Sequence, residues 1–302
     1  MLKFFRKVLL FSIPFLIWFF VIFLVDPYDY WGYSLFKDNL QKHEIGKSED
    51  SGRRQEFIGF KKNPRRNLVI SDSQLQHVDF GEKWAHLSAP GSGIEDEIFI
   101  LKKMIEYSPI DTVLFGVNPF EFVSKVNSQP LPITKSAFKI IDAPYFYFFD
   151  RCVYSSTTRF LMKRIKGDNT VEKDTPNMSK EDFWKQQLLL GKQHLEKRSD
   201  PRLRESQLVE IADIISKNNI TLLIVIPIAH TDLYKMYGEY VEGEFLSMLK
   251  KYFNVIFDFY YPNDFTENKE NFGDPFHANN DNQIYVNSIL HKDTTYCRIY
   301  SK

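Results

Sequence analysis

Two short segments hold the residue types of a nucleophilic acyl-transfer site. The first, Ser71-Asp72-Ser73, is a small polar turn that follows the apolar residues 68–70. The second, Asp274-Pro275-Phe276-His277, lies far along the chain and places a carboxylate three residues before an imidazole. A serine hydroxyl, an imidazole and a carboxylate are the nucleophile, base and orienting group of serine acyl transfer. These segments therefore predict an enzyme that acts on esters.

The segments around these motifs alternate between strand and helix patterns. Short apolar runs bounded by polar or proline residues indicate buried strands, and apolar residues three or four positions apart indicate helices. The alternation favours a three-layer α/β/α fold with a parallel sheet covered on both faces. The predicted strands are 67–70, 112–117, 221–227 and 254–259, and the predicted helices are 94–107, 208–215 and 233–252.

Polar residues follow three of the predicted strands directly. Ser73 comes just after the first strand, Asn118 after the second and His230 after the third. In open parallel sheets, ligands bind outside the carboxyl ends of the strands. We therefore expect these residues at one edge of the sheet, with Gln74 and His230 lining the cleft.

The N-terminal residues 8–25 have the pattern of a membrane span. They are apolar except for Ser12 and Pro14, and as a helix they would be about 27 Å long. Basic residues precede the span and acidic residues follow it, which predicts a cytoplasmic N-terminus and an extracytoplasmic domain. A cleaved signal peptide is disfavoured because the run does not end in small residues, so a retained single-pass anchor in the cell membrane is expected.

The pattern along the chain suggests three regions. Residues 1–30 form a cytoplasmic tip and anchor, 31–64 a stalk or membrane-proximal segment, and 65–302 the α/β domain. Between 124 and 202 the alternation breaks down into a proline- and aromatic-rich insertion. This insertion caps the active site, touches the membrane through its aromatics, or is a packed lid without a ligand role.

Composition excludes some classes of partner. Lys+Arg and Asp+Glu each number 39, so the formal net charge is zero and gives no reason to expect a nucleic-acid partner. Basic clusters such as Arg53-Arg54 are expected on the solvated surface. No spacing of His and Cys suits a metal ion, and no cofactor is expected. The two cysteines, Cys152 and Cys297, leave open whether they pair.

At the level of motifs the chain resembles the SGNH/GDSL hydrolase superfamily. Ser71-Asp72-Ser73 matches the Gly-Asp-Ser block, Gly91 the second block, Gly116-Val117-Asn118 the Gly-x-Asn block, and Asp274-Pro275-Phe276-His277 the terminal Asp-x-x-His block. With the strand pattern, the resemblance covers about residues 65–125 and 205–290. Ser71 departs from the family's glycine, which narrows the conformational freedom of the turn.

The resemblance implies a role for each matched residue. His277 takes the proton of Ser73 as the hydroxyl attacks an acyl carbonyl, and Asp274 orients the imidazole. The oxyanion of the tetrahedral intermediate meets the amides of Ser73 and Gly91 and the side chain of Asn118. Taken one at a time, these residues also have structural interpretations, such as a helix cap at Ser73 or a turn at Asp274-Pro275. His77, one helical turn after Ser73, is a rival base.

An anchored SGNH-like domain outside the membrane is similar to one branch of that superfamily. Its members work on bacterial cell-surface polymers beside polytopic membrane-bound O-acyltransferases, as in alginate and peptidoglycan O-acetylation and lipoteichoic-acid D-alanylation. The expected function is an O-acyltransferase or esterase with an acyl-Ser73 intermediate, an acyl donor and a polysaccharide substrate. Two alternatives remain open: a catalytically silent glycan-binding or scaffold partner of a membrane acyltransferase, and a general lipid esterase.

Overall fold

The computed structural model describes residues 1–32, 49–88, 91, 93–120, 132–166, 178–196, 201–279 and 281–302. The chain divides into two compact units. The first comprises residues 1–62 and 132–174, and the second comprises 63–131 and 175–302. The predicted insertion is therefore shared between the two units, whereas every predicted site residue belongs to the second.

The described helices and strands follow one another along the whole chain. The helices are α1 (Leu2–Val25), α2 (Glu49–Lys62), α3 (Ile94–Tyr107), α4 (Pro132–Asp142), α5 (Arg151–Lys166), α6 (Lys180–Glu196), α7 (Pro201–Lys217), α8 (Thr231–Tyr240), α9 (Leu246–Tyr252), α10 (Asp264–Glu267) and α11 (Asn282–His291). The strands are β1 (Asn67–Ser71), β2 (Trp84–Ser88), β3 (Thr112–Gly116), β4 (Thr221–Ile226), β5 (Val255–Asp258), β6 (Phe272–Asp274), β7 (His277–Ala278) and β8 (Arg298–Ser301).

A six-stranded sheet forms the centre of the second unit, in the order β2-β1-β3-β4-β5-β8. The first five strands in that order are parallel, and β8 pairs antiparallel with β5 at one edge. The predicted α/β class is confirmed, and the sheet is parallel as predicted except for the edge strand β8. Strands β2 and β8 were not predicted, and α8 and α9 are joined by a π-helical turn, Val241–Phe245, inside the predicted helix 233–252.

Both faces of this sheet are buried, which explains why its strands are apolar runs. Successive side chains of a strand point to opposite faces, and Leu68, Val69 and Ile70 of β1 are all fully buried. One face contributes a residue from each of four strands to a core with helices α6 and α11. The members of this core include Val69, Leu114, Val225, Phe257, Trp184, Tyr285 and Ile289.

The strand order creates a topological switch point between β1 and β3. The chain leaves β1 towards β2 on one side and then returns to β3 on the other. Since β1 and β3 pair in parallel with Ile70 opposite Phe115, the residues after both strands meet at one edge. Ligands of open α/β sheets bind at such points, so the predicted site occupies the expected place in the fold.

The first unit contains α1, α2, α4, α5 and a 3-10 turn, Pro144–Phe149. Helix α2 lies within the segment predicted to be a stalk. The expectation that Arg53 and Arg54 are solvated is wrong, because each is only 3% exposed. The guanidinium of Arg54 is 2.9 Å from Asp150, a partner far along the chain that local composition cannot reveal.

Helix α1 matches the predicted anchor in position and composition. Residues Arg6–Val25 are long and apolar enough to cross a membrane, and this is the one such helix among the described residues. Pro14 lies inside the helix, and Asp26 caps its end with a left-handed backbone conformation. The length and composition of α1 support the membrane assignment.

Candidate active site

The structure brings Ser73, His277 and Asp274 into one hydrogen-bonded chain. The Oγ of Ser73 is 2.8 Å from Nε2 of His277, and Nδ1 of His277 is 2.8 Å from Oδ2 of Asp274. An ionised carboxylate only accepts, so Nδ1 donates to it and Nε2 keeps its lone pair for the serine hydroxyl. This is the arrangement of a serine nucleophile with its base and orienting group, formed across 204 sequence positions.

The Asp-Pro-Phe-His segment is a tight hairpin, and its aspartate has two structural roles. Asp274 and His277 face each other across the antiparallel pair β6 and β7. Oδ1 of Asp274 accepts from the main-chain N–H groups of Phe276 and His277, at 2.8 and 3.1 Å. Its other oxygen, Oδ2, holds the imidazole. One side chain therefore closes the turn and holds the imidazole, and the catalytic role of Asp274 stays a prediction.

The tip of this hairpin is fixed by neighbouring strand ends. The main-chain N–H of His230, after β4, donates to the carbonyl of Pro275 at 2.9 Å. The amide of Gln74 donates to the carbonyl of Phe276 at 2.7 Å. The ring of Phe276 packs edge-on against Phe120, with centroids 4.7 Å apart. Both carbonyls between the aspartate and the histidine are therefore tied down.

The nucleophile turn is shaped by close packing between β1 and β3. Asp72 caps the short 3-10 turn Ser73–Leu75 by accepting from the N–H of Gln74 at 2.9 Å. A methyl group on Gly116 would lie 2.6 Å from Cβ of Ser71, so only glycine fits there. Ser71 lies in a strand, and the residues with positive φ do not include it. Serine in place of the family's glycine therefore causes no backbone strain.

The side-chain amide of Asn118 is fully engaged in hydrogen bonds within the protein. Its carbonyl oxygen accepts from the N–H of Phe120 at 3.0 Å, which fixes the orientation of the amide. Its nitrogen donates both hydrogens, to Asp72 at 2.9 Å and to Oε1 of Gln74 at 2.7 Å. No hydrogen is left for an oxyanion, so the role that the resemblance implies stays a prediction and requires one of these bonds to open or to be shared.

Gln74 is the link between the nucleophile turn and the base. Its side chain accepts from Asn118 and donates to the carbonyl of Phe276, so it joins the ends of β1 and β3 to the hairpin. The sequence placed Gln74 in the cleft, but these two partners are 44 and 202 positions away and could not be predicted.

Replacing Gln74 by methionine should lower kcat for ester turnover by about 10- to 100-fold, because small misplacements of reacting groups have effects of this size. Both hydrogen bonds are lost and two buried polar groups lose their partner, which should also destabilise the fold by about 1–3 kcal/mol. Steady-state kinetics and thermal unfolding measure the two effects. The matched control is Gln76→Met at an exposed position two residues on, which should change neither value. Equal kinetics for both variants would contradict the positioning role.

The charges around His277 favour its protonated form. Burial alone would lower the pKa of His277, but the hydrogen bond and charge of Asp274 and two further carboxylates raise it above the ordinary 6.5. These two are Asp72 and Asp281. Burial pushes the pKa of Asp274 upward, but its bond to His277 outweighs this and the pKa lies below its usual value. Burial raises the pKa of Asp281 to about 6, so this carboxylate is ionised at neutral pH.

The activity should therefore rise with pH along a limb whose midpoint lies above 6.5, since His277 must be neutral to accept the serine proton. Asp281→Asn removes a negative charge and should move the midpoint to lower pH without lowering the plateau. A kcat/KM profile from pH 5 to about 9 measures this. Asp264→Asn, at an exposed carboxylate, is the control and should leave the midpoint unchanged. A midpoint that does not move in Asp281→Asn would show that this charge does not act on the base.

The remaining predicted site residues take no part in the hydrogen bonds that join Ser73, His277 and Asp274. Gly91 adopts φ +67°, a left-handed conformation that favours glycine. The ring of His230 is buried between Trp184 and Phe272, and its Nδ1 accepts from the N–H of Asp232 to cap α8. Burial lowers the pKa of His230, so it acts as a neutral capping group. His77 is exposed and the serine pairs with His277 instead.

Two carboxylates near the base were missed from the sequence. Asp72 is held by Asn118 and Gln74, and burial raises its pKa. The position of Asp72 directly before Ser73 was a usable signal, because it places a carboxylate close to the predicted nucleophile. Asp281 has no comparable signal, since only the fold brings the start of α11 to the hairpin.

The search for a metal site and the comparisons with known proteins do not assign a further role to any residue. Among the described residues, no group of three or more His, Cys, Asp or Glu side chains is arranged to hold a metal ion. Cys152 and Cys297 are free thiols. No family model matches the sequence, and no curated protein matches it.

Proposed function

We propose that the chain is a membrane-anchored, SGNH-like serine O-acyltransferase or esterase that acts on acyl groups of an extracytoplasmic polysaccharide. The observation that carries this proposal is the continuous chain from Ser73 Oγ through His277 to Asp274, with both heavy-atom distances at 2.8 Å. The location of that chain at the switch point of a parallel sheet supports the SGNH-like assignment.

The reaction proceeds in two balanced halves. The Ser73 oxygen attacks the acyl carbon while Nε2 of His277 takes the hydroxyl proton, and Asp274 stabilises the imidazolium. The proton then passes to the leaving oxygen, which departs and leaves an acyl ester on Ser73. In the second half, His277 takes a proton from a sugar hydroxyl or from water, whose oxygen attacks the ester. The serine regains its proton as the new ester or the free acid leaves.

The openness of the base favours a large acceptor. The side chain of His277 is 43% exposed although it is hydrogen-bonded at both ring nitrogens. A polymer hydroxyl can reach such a group without entering a deep pocket. The acyl donor is delivered across the membrane in this scheme, with a polytopic membrane-bound O-acyltransferase as the proposed partner and α1 as the anchor.

The second candidate is a catalytically silent glycan-binding or scaffold protein. It is favoured by one observation, the donation of both Asn118 amide hydrogens to Asp72 and Gln74 instead of to an oxyanion site. In this case the serine would be an acceptor or donor for a bound sugar, and the polar network would be purely structural.

An acyl-transfer assay with the full chain in detergent micelles distinguishes these functions. The protein is supplied with 4-nitrophenyl acetate and a panel of neutral and acidic oligosaccharides, and acetylated sugar and free acetate are measured by mass spectrometry. Acetylated sugar that disappears in Ser73→Ala supports a transferase, and acetate alone supports an esterase. If neither product exceeds the Ser73→Ala background, the scaffold function replaces the enzymatic one.

A further inference from the structure

Other elements of the first unit contact α1 well before the end of that helix. The ring of Phe19 lies 5.2 Å from the rings of both Phe148 and Phe149, and the ring of Trp18 lies 5.0 Å from that of Tyr154. At a rise of about 1.5 Å per residue, Trp18 and Phe19 are about 9–11 Å below Val25 along the helix axis. The 3-10 turn Pro144–Phe149 and helix α5, here called the collar, therefore pack against one side of the outer part of α1.

The part of α1 that precedes the contacts with the collar is too short to cross a bilayer alone. The ten residues between Lys7 and Trp18 reach about 15 Å, whereas the hydrocarbon core is about 30 Å thick. Beyond them, Ile22 and Val25 are buried in the first unit. The large apolar side chains that α1 leaves exposed are Phe4, Val8, Leu9, Leu10, Phe11, Ile13, Phe15, Leu16, Ile17 and Phe20. If α1 spans the membrane, the length that packs against the collar must also lie within the bilayer.

The outer surface of the collar has the chemistry of a membrane interface. Its exposed apolar side chains are mostly aromatic, which is typical of the boundary between headgroups and acyl chains. They are Tyr145, Phe146, Phe149, Tyr154, Met162 and Ile165. Three exposed arginines on α5 complement anionic headgroups. They are Arg151, Arg159 and Arg164.

We propose that the collar inserts into one leaflet of the bilayer, with acyl chains against its aromatic side chains and anionic phospholipid headgroups against its arginines. This goes beyond a single helical anchor, and it rests on α1 spanning the membrane. It does not depend on the chemistry at Ser73, so the two can fail separately.

Photocrosslinking to lipid tests the collar directly. The full chain is reconstituted in liposomes of phosphatidylcholine and phosphatidylglycerol, with p-benzoyl-phenylalanine placed at Phe146 or Phe149. After irradiation, intact-mass analysis detects covalent lipid. Phe20 on α1 is the positive control, and Phe183 on α6 is the matched control because it and Phe146 are both 38% exposed.

The expected result is a lipid adduct at Phe146 and Phe149 with a yield comparable to Phe20 and several-fold above Phe183. Circular dichroism of each variant confirms that it is folded. No adduct at either collar position, in liposomes where Phe20 reacts, would overturn the proposal. So would crosslinks to a second copy of the chain, or an equal yield at Phe183.

Discussion

Replacing His277 by alanine is expected to lower kcat for the hydrolysis of 4-nitrophenyl acetate by about 10⁶-fold, the loss seen when the base of a serine triad is removed. The reason is that Nε2 of His277, at 2.8 Å, is the base that hydrogen-bonds the Ser73 hydroxyl within the described part of the chain. Without it, the neutral hydroxyl is a weak nucleophile. Residual turnover should reflect only binding and any oxyanion stabilisation.

His77→Ala is the matched control for this variant. His77 lies one helical turn after Ser73 and was the rival base in the sequence, but it is exposed and the hydroxyl pairs elsewhere. Steady-state kinetics of the full chain in detergent should show the control unchanged. A loss in His77→Ala with activity retained in His277→Ala would overturn the assignment of the base.

Asp274→Asn should lower kcat by about 10⁴-fold, with the fold retained. The asparagine oxygen can still accept from the N–H groups of Phe276 and His277, so the hairpin keeps its shape. Its NH₂ group, however, donates towards Nδ1 and moves the imidazole proton to Nε2. The base then presents a hydrogen to Ser73 instead of a lone pair.

Asp264→Asn is the control, an exposed carboxylate at the start of α10. It should leave kcat unchanged. Combining Asp274→Asn with His277→Ala should add little to the loss from His277→Ala alone, because residues that act as a unit are not additive. A loss smaller than about tenfold in Asp274→Asn would contradict an orienting role and leave the carboxylate as a turn residue.

The parts of the fold that depend on continuous burial were predictable. Strand β4 and helix α3 were found at or near their observed ends because each has a full apolar run or stripe. The meeting of Ser73 and Asn118 was predictable for a related reason, since parallel strands deliver the residues after β1 and β3 to one sheet edge. Asp274 and His277 were found through their short spacing.

Elements with half-buried or paired polar residues were not predictable. Strand β2 lies at the sheet edge, and Trp84, Ala85 and His86 are only partly buried, so its pattern is weak. Strand β8 contains Arg298, whose charge suggests surface but which bridges the buried Asp258 at 2.8 Å. The buried face of helix α2 was not predictable for the same reason, since it contains the charged Arg54, which is buried in an ion pair with Asp150.

The hydrogen bonds at the site could not be predicted either, because they also depend on partners that are distant in the sequence. The role of Gln74 depends on a carbonyl 202 positions away, and nothing in its local sequence specifies that partner. Asn118 was matched by motif to an oxyanion role, whereas its observed hydrogen bonds are decided by the neighbouring Asp72 and Gln74. Motif order located the residues, but only the geometry shows which hydrogens are free to act.

The most direct test of the central claim is intact-mass analysis of the full chain after incubation with 4-nitrophenyl acetate. Ser73→Ala is the critical variant and Ser71→Ala the control, because the Ser71 hydroxyl is bonded to the adjacent main-chain carbonyl. We expect one acetyl group on the unsubstituted chain and on Ser71→Ala, and none on Ser73→Ala. Folded protein that shows neither an adduct nor turnover would contradict that claim and would make the scaffold function the better description.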